Sequence, residues 1–288
     1  MKKRYNATNN ERSNEIFTKV DIFFILLILF LVIIINWGSF FSPNIASDAM
    51  ALSTLGKEIY NNFTYTINYI PDTHWMPFYP LLIAISNIVF HNILLSSKVI
   101  SLISSCITIV FVYLFARKMK LSNKMSLLVS FLVLFNPFFL YYAGGIMPLS
   151  ETLSTALLMI AFYIYKFYNN NHLELSGVFF GLSAMTRLAN FPFLLPLLIY
   201  HCYQLIKGKR RKENLGFLSL IIIPFAIWTI RNIIASNHIL ESDYTTFMSL
   251  NHLFNLPYLI IMYSVAMFYL FFLLLPLIIN SIVKLYTN

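Results

Sequence analysis

Between Ile22 and Ile35 every side chain is apolar, and comparable runs recur along most of the 288 residues. A helix of about 20 such residues matches the hydrocarbon thickness of a bilayer, and a chain this size cannot bury so many of them in one soluble core. With 59% apolar, 17% aromatic and only 11% charged residues, the chain reads as an all-α, polytopic transmembrane protein. The spanning segments expected are 21–37, 96–116, 125–143, 149–168, 173–187, 189–206, 214–234 and 257–283. Segment 78–90 is also apolar, but its roughly 13 residues fall short of a crossing. It is expected to lie in the interface or to re-enter from one side.

Charge gives this arrangement an orientation. A formal charge of +9 in a soluble domain would suggest nucleic acid, but here the basic residues sit in short loops between apolar runs, where they fix sidedness. With 78–90 left out as a span, Lys2, Lys3, Arg4, Arg12, Lys19, Arg117, Lys118, Lys120, Lys124, Lys166, Lys207, Lys209, Arg210, Arg211, Lys212 and Lys284 share one side, 16 of the 20 Lys and Arg residues. That side is expected to be cytoplasmic and to hold both termini. Residues 1–20 then form a polar cytoplasmic tail, 21–235 a membrane module and 236–288 a further outer loop with a last span. Cys106 and Cys202, both in apolar runs, have neither metal-type nor disulfide-type spacing.

The same topology gathers the unusual polar residues outside. Loop 38–77 carries Asp48, Lys57, Glu58, Asp72, His74 and Trp75, and the later outer turns carry Tyr141, Tyr142, Glu151, Arg187, Arg231 and Asn232. A lone carboxylate just beyond the first span is costly to desolvate, which makes Asp48 a candidate functional group as well as a candidate helix cap. Ala51, Leu52, Leu55 and Ile59 recur at helical spacing opposite Lys57 and Glu58, suggesting a short amphipathic helix on the membrane surface. Glu151 at the start of a span can cap it or act in chemistry, and His74 can position a turn or move a proton. Arg187 and Arg231 stand where the orientation rule disfavours cations.

Ser47-Asp48 after the first span, the His74-to-Leu82 run, Pro148-to-Thr152, Thr186-Arg187 and Trp228-to-Asn232 together resemble the GT-C glycosyltransferases. The resemblance is to the branch containing dolichyl-phosphate-mannose protein mannosyltransferases and lipid A aminoarabinose transferases. It implies transfer of a sugar from a polyprenyl-phosphate donor to a lipid, glycan or protein acceptor at the outer face of the cell membrane. On that resemblance Asp48 is the candidate base, with Glu151 and His74 as further catalytic candidates. Arg231, Asn232 and Arg187 are candidates for the donor phosphate, and Trp75, Tyr79, Tyr142, Glu58 and Asp72 for substrate contact. A base for the acceptor and cations for the leaving phosphate are what such a transfer requires.

Two departures accompany the resemblance. Ala49 follows Asp48 where many relatives carry a second acid, so no adjacent carboxylate pair is available for a divalent ion, and metal dependence stays open. The sequence to Asn288 also shows neither the additional spans nor the soluble outer domain of many relatives, as a shorter enzyme, a fragment or one part of a larger assembly would. A transporter or flippase for a lipid-linked sugar, or a non-catalytic membrane subunit, are the alternative readings. Against transport, no internal repeat is evident and the polar residues lie at one boundary rather than at mid-membrane.

Overall fold

A computed structural model describes residues 18–40, 47–137, 139–140, 148–168 and 172–236. The cytoplasmic-tail basic residues Lys2 to Arg12, the expected span 257–283 and the candidates Tyr141 and Tyr142 lie outside these residues. The described chain forms α1 (Lys19–Phe40), α2 (Ser47–Asn62), a hairpin of β1 (Thr66–Ile67) and β2 (Ile70–Pro71), α3 (Phe78–Phe90), α4 (Ile93–Lys118) and α5 (Asn123–Leu134). It continues with α6 (Ser150–Phe167), α7 (Leu173–Thr186), a 3-10 turn (Leu188–Asn190), α8 (Phe191–Ile206) and α9 (Arg211–Ser236). The molecule is thus a polytopic helical membrane protein.

Among the described helices, four are long and apolar enough to cross a bilayer: Lys19–Gly38, Ile93–Lys118, Leu188–Ile206 and Arg211–Ala235. Their outward faces suit lipid. On α1, Phe23, Leu26, Phe30, Ile34 and Trp37 are exposed while Ile28 and Val32 are buried. Helix α3 has 13 residues, about 20 Å of rise, and so remains the short element that the sequence suggests. His91 closes it in the left-handed region (φ 49°), and the Asn92 side chain accepts from Leu95 N at 3.0 Å to start α4.

The expected span 125–143 is not one continuous helix. Helix α5 stops at Leu134, and the chain restarts around Asn136, whose side-chain oxygen accepts from Phe139 N at 3.3 Å. Pro137 supplies the reason, because it has no N–H for the helix ladder and clashes with the carbonyl one turn back.

Packing between helices combines close contacts at small residues with clusters of large apolar ones. Ser96, Ser97, Ser101, Ser104, Ser105 and Thr108 form a buried stripe on α4. Several return their hydroxyls to their own helix, for example Ser105 Oγ to Ser101 O at 2.8 Å, which leaves the face compact and without unmet polar demand. On α7, Gly177 lies so close to α9 that an added Cβ would stand 3.1 Å from Phe217 O. Gly181, one turn on, meets the Leu220 carbonyl even more closely. This is the small-xxx-small contact by which helices pack in membranes, where lipid tails give apolar side chains little reason to associate. One apolar cluster joins α6 to α9 through Ala161, Phe180, Leu194, Phe217 and Ile221. A second, around Tyr79, Ile83 and Leu153, joins α2, α3 and α6.

Candidate active site at one end of the bundle

The amphipathic helix expected after Asp48 is present as α2, but Asp48 lies inside its first turn rather than ahead of it. Its buried face also differs from the expected one. Ala49, Leu52, Ser53, Leu55 and Gly56 are buried, whereas Ala51 and Ile59 are half-buried. The cause is close approach to α3: a Cβ on Gly56 would stand 2.6 Å from an Ile83 methyl, so the smallest residues mark the contact. Asp48 itself is exposed, with Ser47 Oγ donating to its Oδ1 at 3.3 Å. Ala49, next to it, shares the cluster of Leu149 and Leu153, which brings the α2 turn carrying Asp48 towards the α6 turn carrying Glu151.

Tyr79 fixes that arrangement. Expected at the substrate surface, it is instead fully buried, and its hydroxyl donates to Pro148 O at 2.8 Å and lies 3.1 Å from Ser101 Oγ. Burial pushes this hydroxyl above the usual phenol range, so it stays protonated as a donor. The contact ties α3, the third turn of α4 and the entry to α6 at one point.

Glu151 and Arg187, far apart in sequence, form an ion pair. Arg187 reaches Glu151 because α7 ends at Thr186 and Arg187 turns to extended backbone (φ −152°, ψ 121°) before the 3-10 turn. Asn190 holds that corner, its side chain donating to Ser183 Oγ at 2.7 Å, while Ser183 Oγ donates to Ser154 O of α6 at 3.0 Å. The side chains of the pair are 38% and 23% exposed, so water reaches both.

Arg231, near the end of α9, grips the loop after α2. Its guanidinium donates to the backbone oxygens of Asp72 and of Tyr65, the latter at 3.0 Å, and to Asn232 Oδ1 at 3.0 Å. It also lies over the rings of Tyr65 and Trp228, 5.3 and 4.9 Å from their centres. Tyr65 OH in turn donates to Trp75 O at 3.0 Å, and Asp72 Oδ2 accepts from Trp75 N at 3.0 Å. Burial and the nearby Asp72 carboxylate push the Tyr65 hydroxyl well above the usual phenol range, with Arg231 offsetting part of the effect. His74 packs edge-on to Trp75 at 4.6 Å. Asn232, a candidate for phosphate, is fully buried beside Arg231.

The structure therefore brings Asp72, His74, Trp75 and Arg231 into one knot, and Glu151 with Arg187 into a second. Glu58 stays apart on α2, accepting from Asn62 Nδ2 at 2.7 Å. Among the described residues, no three His, Cys, Asp or Glu side chains group as metal ligands would, so no ligand set for a divalent ion can be assigned. Sequence reasoning missed Tyr65 altogether. Trp228 had a signal, since three residues before Arg231 on a helix places it on the same face.

A family model described as dolichyl-phosphate-mannose-protein mannosyltransferase matches residues 74–230. The chain belongs to this family. It is a membrane glycosyltransferase of the GT-C type. The match begins at His74 and ends one residue before Arg231, so it takes in the Tyr79 contact and both partners of the Glu151–Arg187 pair, with Asp48 ahead of it. No curated protein and no solved structure matches the chain.

Proposed function

We propose that this glycosyltransferase moves a sugar from a polyprenyl-phosphate carrier to an acceptor at the extracytoplasmic face of the cell membrane. The observation that supports the reading is that one apolar cluster holds Ala49, next to Asp48, and Leu149 and Leu153, on either side of Glu151, with Trp75 of the loop held by Arg231 packed against it. Lys118, Lys120, Lys166 and the 207–212 cluster fall at the other end, which supports placing the linked residues outside.

Asp48 acts as general base. It takes the proton of the acceptor nucleophile as that atom bonds to the anomeric carbon, and the bond from that carbon to the phosphate oxygen breaks, leaving the polyprenyl phosphate. Arg187 receives the phosphate charge. Its pairing with Glu151 is half exposed, a class of ion pair worth about 0.2–1 kcal/mol, so a phosphate can take over the guanidinium at small cost. Glu151, His74 and Asn232 remain beside this path. Arg231 keeps Asp72, His74 and Trp75 in place and adds positive charge near the phosphate, and Trp75 offers an aromatic face to the sugar.

The test is transfer by the purified protein in lipid, using a panel of radiolabelled polyprenyl-phosphate sugars and a mixed acceptor extract. Transfer from at least one donor is the expected result. Donor binding across the panel with no transfer from any member would overturn the proposal in favour of a transporter or an accessory subunit.

A further inference from the structure

The end of the bundle opposite the candidate active site contains a cavity of about 690 Å³. It is framed by the last turns of α6 and α8, the first turns of α7 and α9, and the loop between α8 and α9. Among the described residues its lining includes three cations, Lys166, Lys209 and Arg210, and no carboxylate. Nothing in the glycosyl transfer uses these residues.

The floor of this cavity is built rather than incidental. His201 and Asn214 are only 4% and 3% exposed, and together they link three helices. Asn214 Nδ2 donates to the carbonyls of Lys209 and Arg210 at 2.7 and 3.0 Å, which fixes its Oδ1 as the acceptor facing His201 Nδ1 at 2.7 Å. His201 Nδ1 therefore carries the ring proton, and Nε2 accepts from Tyr165 OH of α6 at 3.2 Å. This relay pins the loop whose residues Gly208 and Arg210 adopt left-handed backbone (φ 71° and 47°). Burying an imidazole and an amide costs solvation that a plain helix turn avoids with apolar residues. What the relay fixes is the backbone of Lys209 and Arg210, two of the residues that line the cavity.

We propose that this cavity binds a phosphate-bearing anion, with Lys166, Lys209 and Arg210 meeting its charge and Gln204 and the tyrosine hydroxyls its oxygens. The volume lies within the range of small-molecule sites, about 300–1,000 Å³, and accommodates a phospholipid headgroup or a soluble phosphate ester. A location at a bundle end rich in basic residues suits either source, since anionic headgroups concentrate there by about 1 kcal/mol per cation.

The experiment is native mass spectrometry of the full chain in detergent, titrated separately with phosphatidylglycerol, phosphatidylcholine and glycerol 3-phosphate. The double variant Lys209→Ala/Arg210→Ala is compared with Lys118→Ala/Lys120→Ala. The control removes equal charge from the same end, since Phe115 near the end of α4 touches Phe167 at the end of α6 with ring centres 4.9 Å apart. Selective binding of phosphatidylglycerol over phosphatidylcholine, weakened about tenfold or more by the cavity variant and under about twofold by the control, is the expected result for a headgroup. The same pattern with glycerol 3-phosphate instead assigns the site to a soluble phosphate. Equal weakening in both double variants, or binding of neither anionic ligand by the wild type, would overturn the proposal.

Discussion

At the end proposed to carry the active site, Arg231 and Arg187 are each held by groups from distant segments: two backbone carbonyls of the loop after α2 in one case, Glu151 in the other. At the opposite end Lys166, Lys209 and Arg210 line a cavity with no carboxylate among its described lining residues. That same end also has a closed polar knot of its own. Asp21 accepts from Tyr113 OH at 2.6 Å, Arg117 Nε at 2.8 Å and Asn123 Nδ2 at 3.2 Å, joining α1, α4 and α5. The difference separates two uses of charge in one bundle. Where a cation is saturated by main-chain oxygens, as Arg231 is, it fixes geometry; where it sits in a partly exposed ion pair, as Arg187 does, or lines a cavity, we propose that it meets a ligand.

Three single substitutions and one double-mutant cycle separate these uses, ordered by their expected effect on stability in chemical or thermal unfolding. Asp21→Ala removes a carboxylate 4% exposed at its side chain, takes the acceptor from Tyr113 and leaves Arg117 with only its bond to Leu121 O, so it should destabilise by about 3 kcal/mol. Transfer per folded molecule should be unchanged, because Asp21 lies at the end away from the chemistry. Arg231→Ala should cost about 2–3 kcal/mol, from lost charge-assisted hydrogen bonds to two carbonyls. Unlike the first, it should also cut transfer, and proteolysis should reach the 63–77 loop. Tyr79→Phe should cost about 1–2 kcal/mol, because Pro148 O loses its donor in a buried setting. A double-mutant cycle of Glu151→Gln and Arg187→Met should give a coupling of only about 0.5 kcal/mol, yet Arg187→Met should lower transfer severalfold through weaker donor binding. A large stability coupling with unaltered donor binding would make that pair a strut like Arg231, and the contrast drawn above would fail there.

Much of the scaffold was legible because bilayer length imposes a simple rule. The apolar runs found α1, α4, α8 and α9, and the 13-residue limit found α3. The break at Phe135–Pro137 was legible too, but apolar composition across 125–143 masked a single proline. The hairpin of β1 and β2 gave little notice. Its two-residue turn needs positive φ at both positions, and Tyr69 at φ 66° is a residue type that seldom adopts it, although Asn68 at φ 52° is a usual one. The face of α2 was half legible: Leu52 and Leu55 are buried as expected, but apolarity also pointed to Ala51 and Ile59, while close packing on α3, where Gly56 meets Ile83, goes with burial of Ala49, Ser53 and Gly56.

For the site, the residue types were legible and their partners were not. Arg187 and Arg231 stood out by lying on the side the orientation rule disfavours. That Arg231 would bind main-chain oxygens more than 150 residues away leaves no trace in local pattern, since any residue carries a carbonyl. Tyr79 looked like a surface aromatic because its burial depends on α2 and α6 closing over it.

The most direct measurement is the rate of sugar transfer by Asp48→Asn in lipid, alongside donor binding by the same folded protein and transfer by Lys118→Ala as an opposite-end control. The account predicts a loss of about 10²–10⁴-fold for Asp48→Asn with donor binding retained, and transfer within about twofold of wild type for Lys118→Ala. Wild-type rates in Asp48→Asn would contradict it and remove Asp48 from the chemistry.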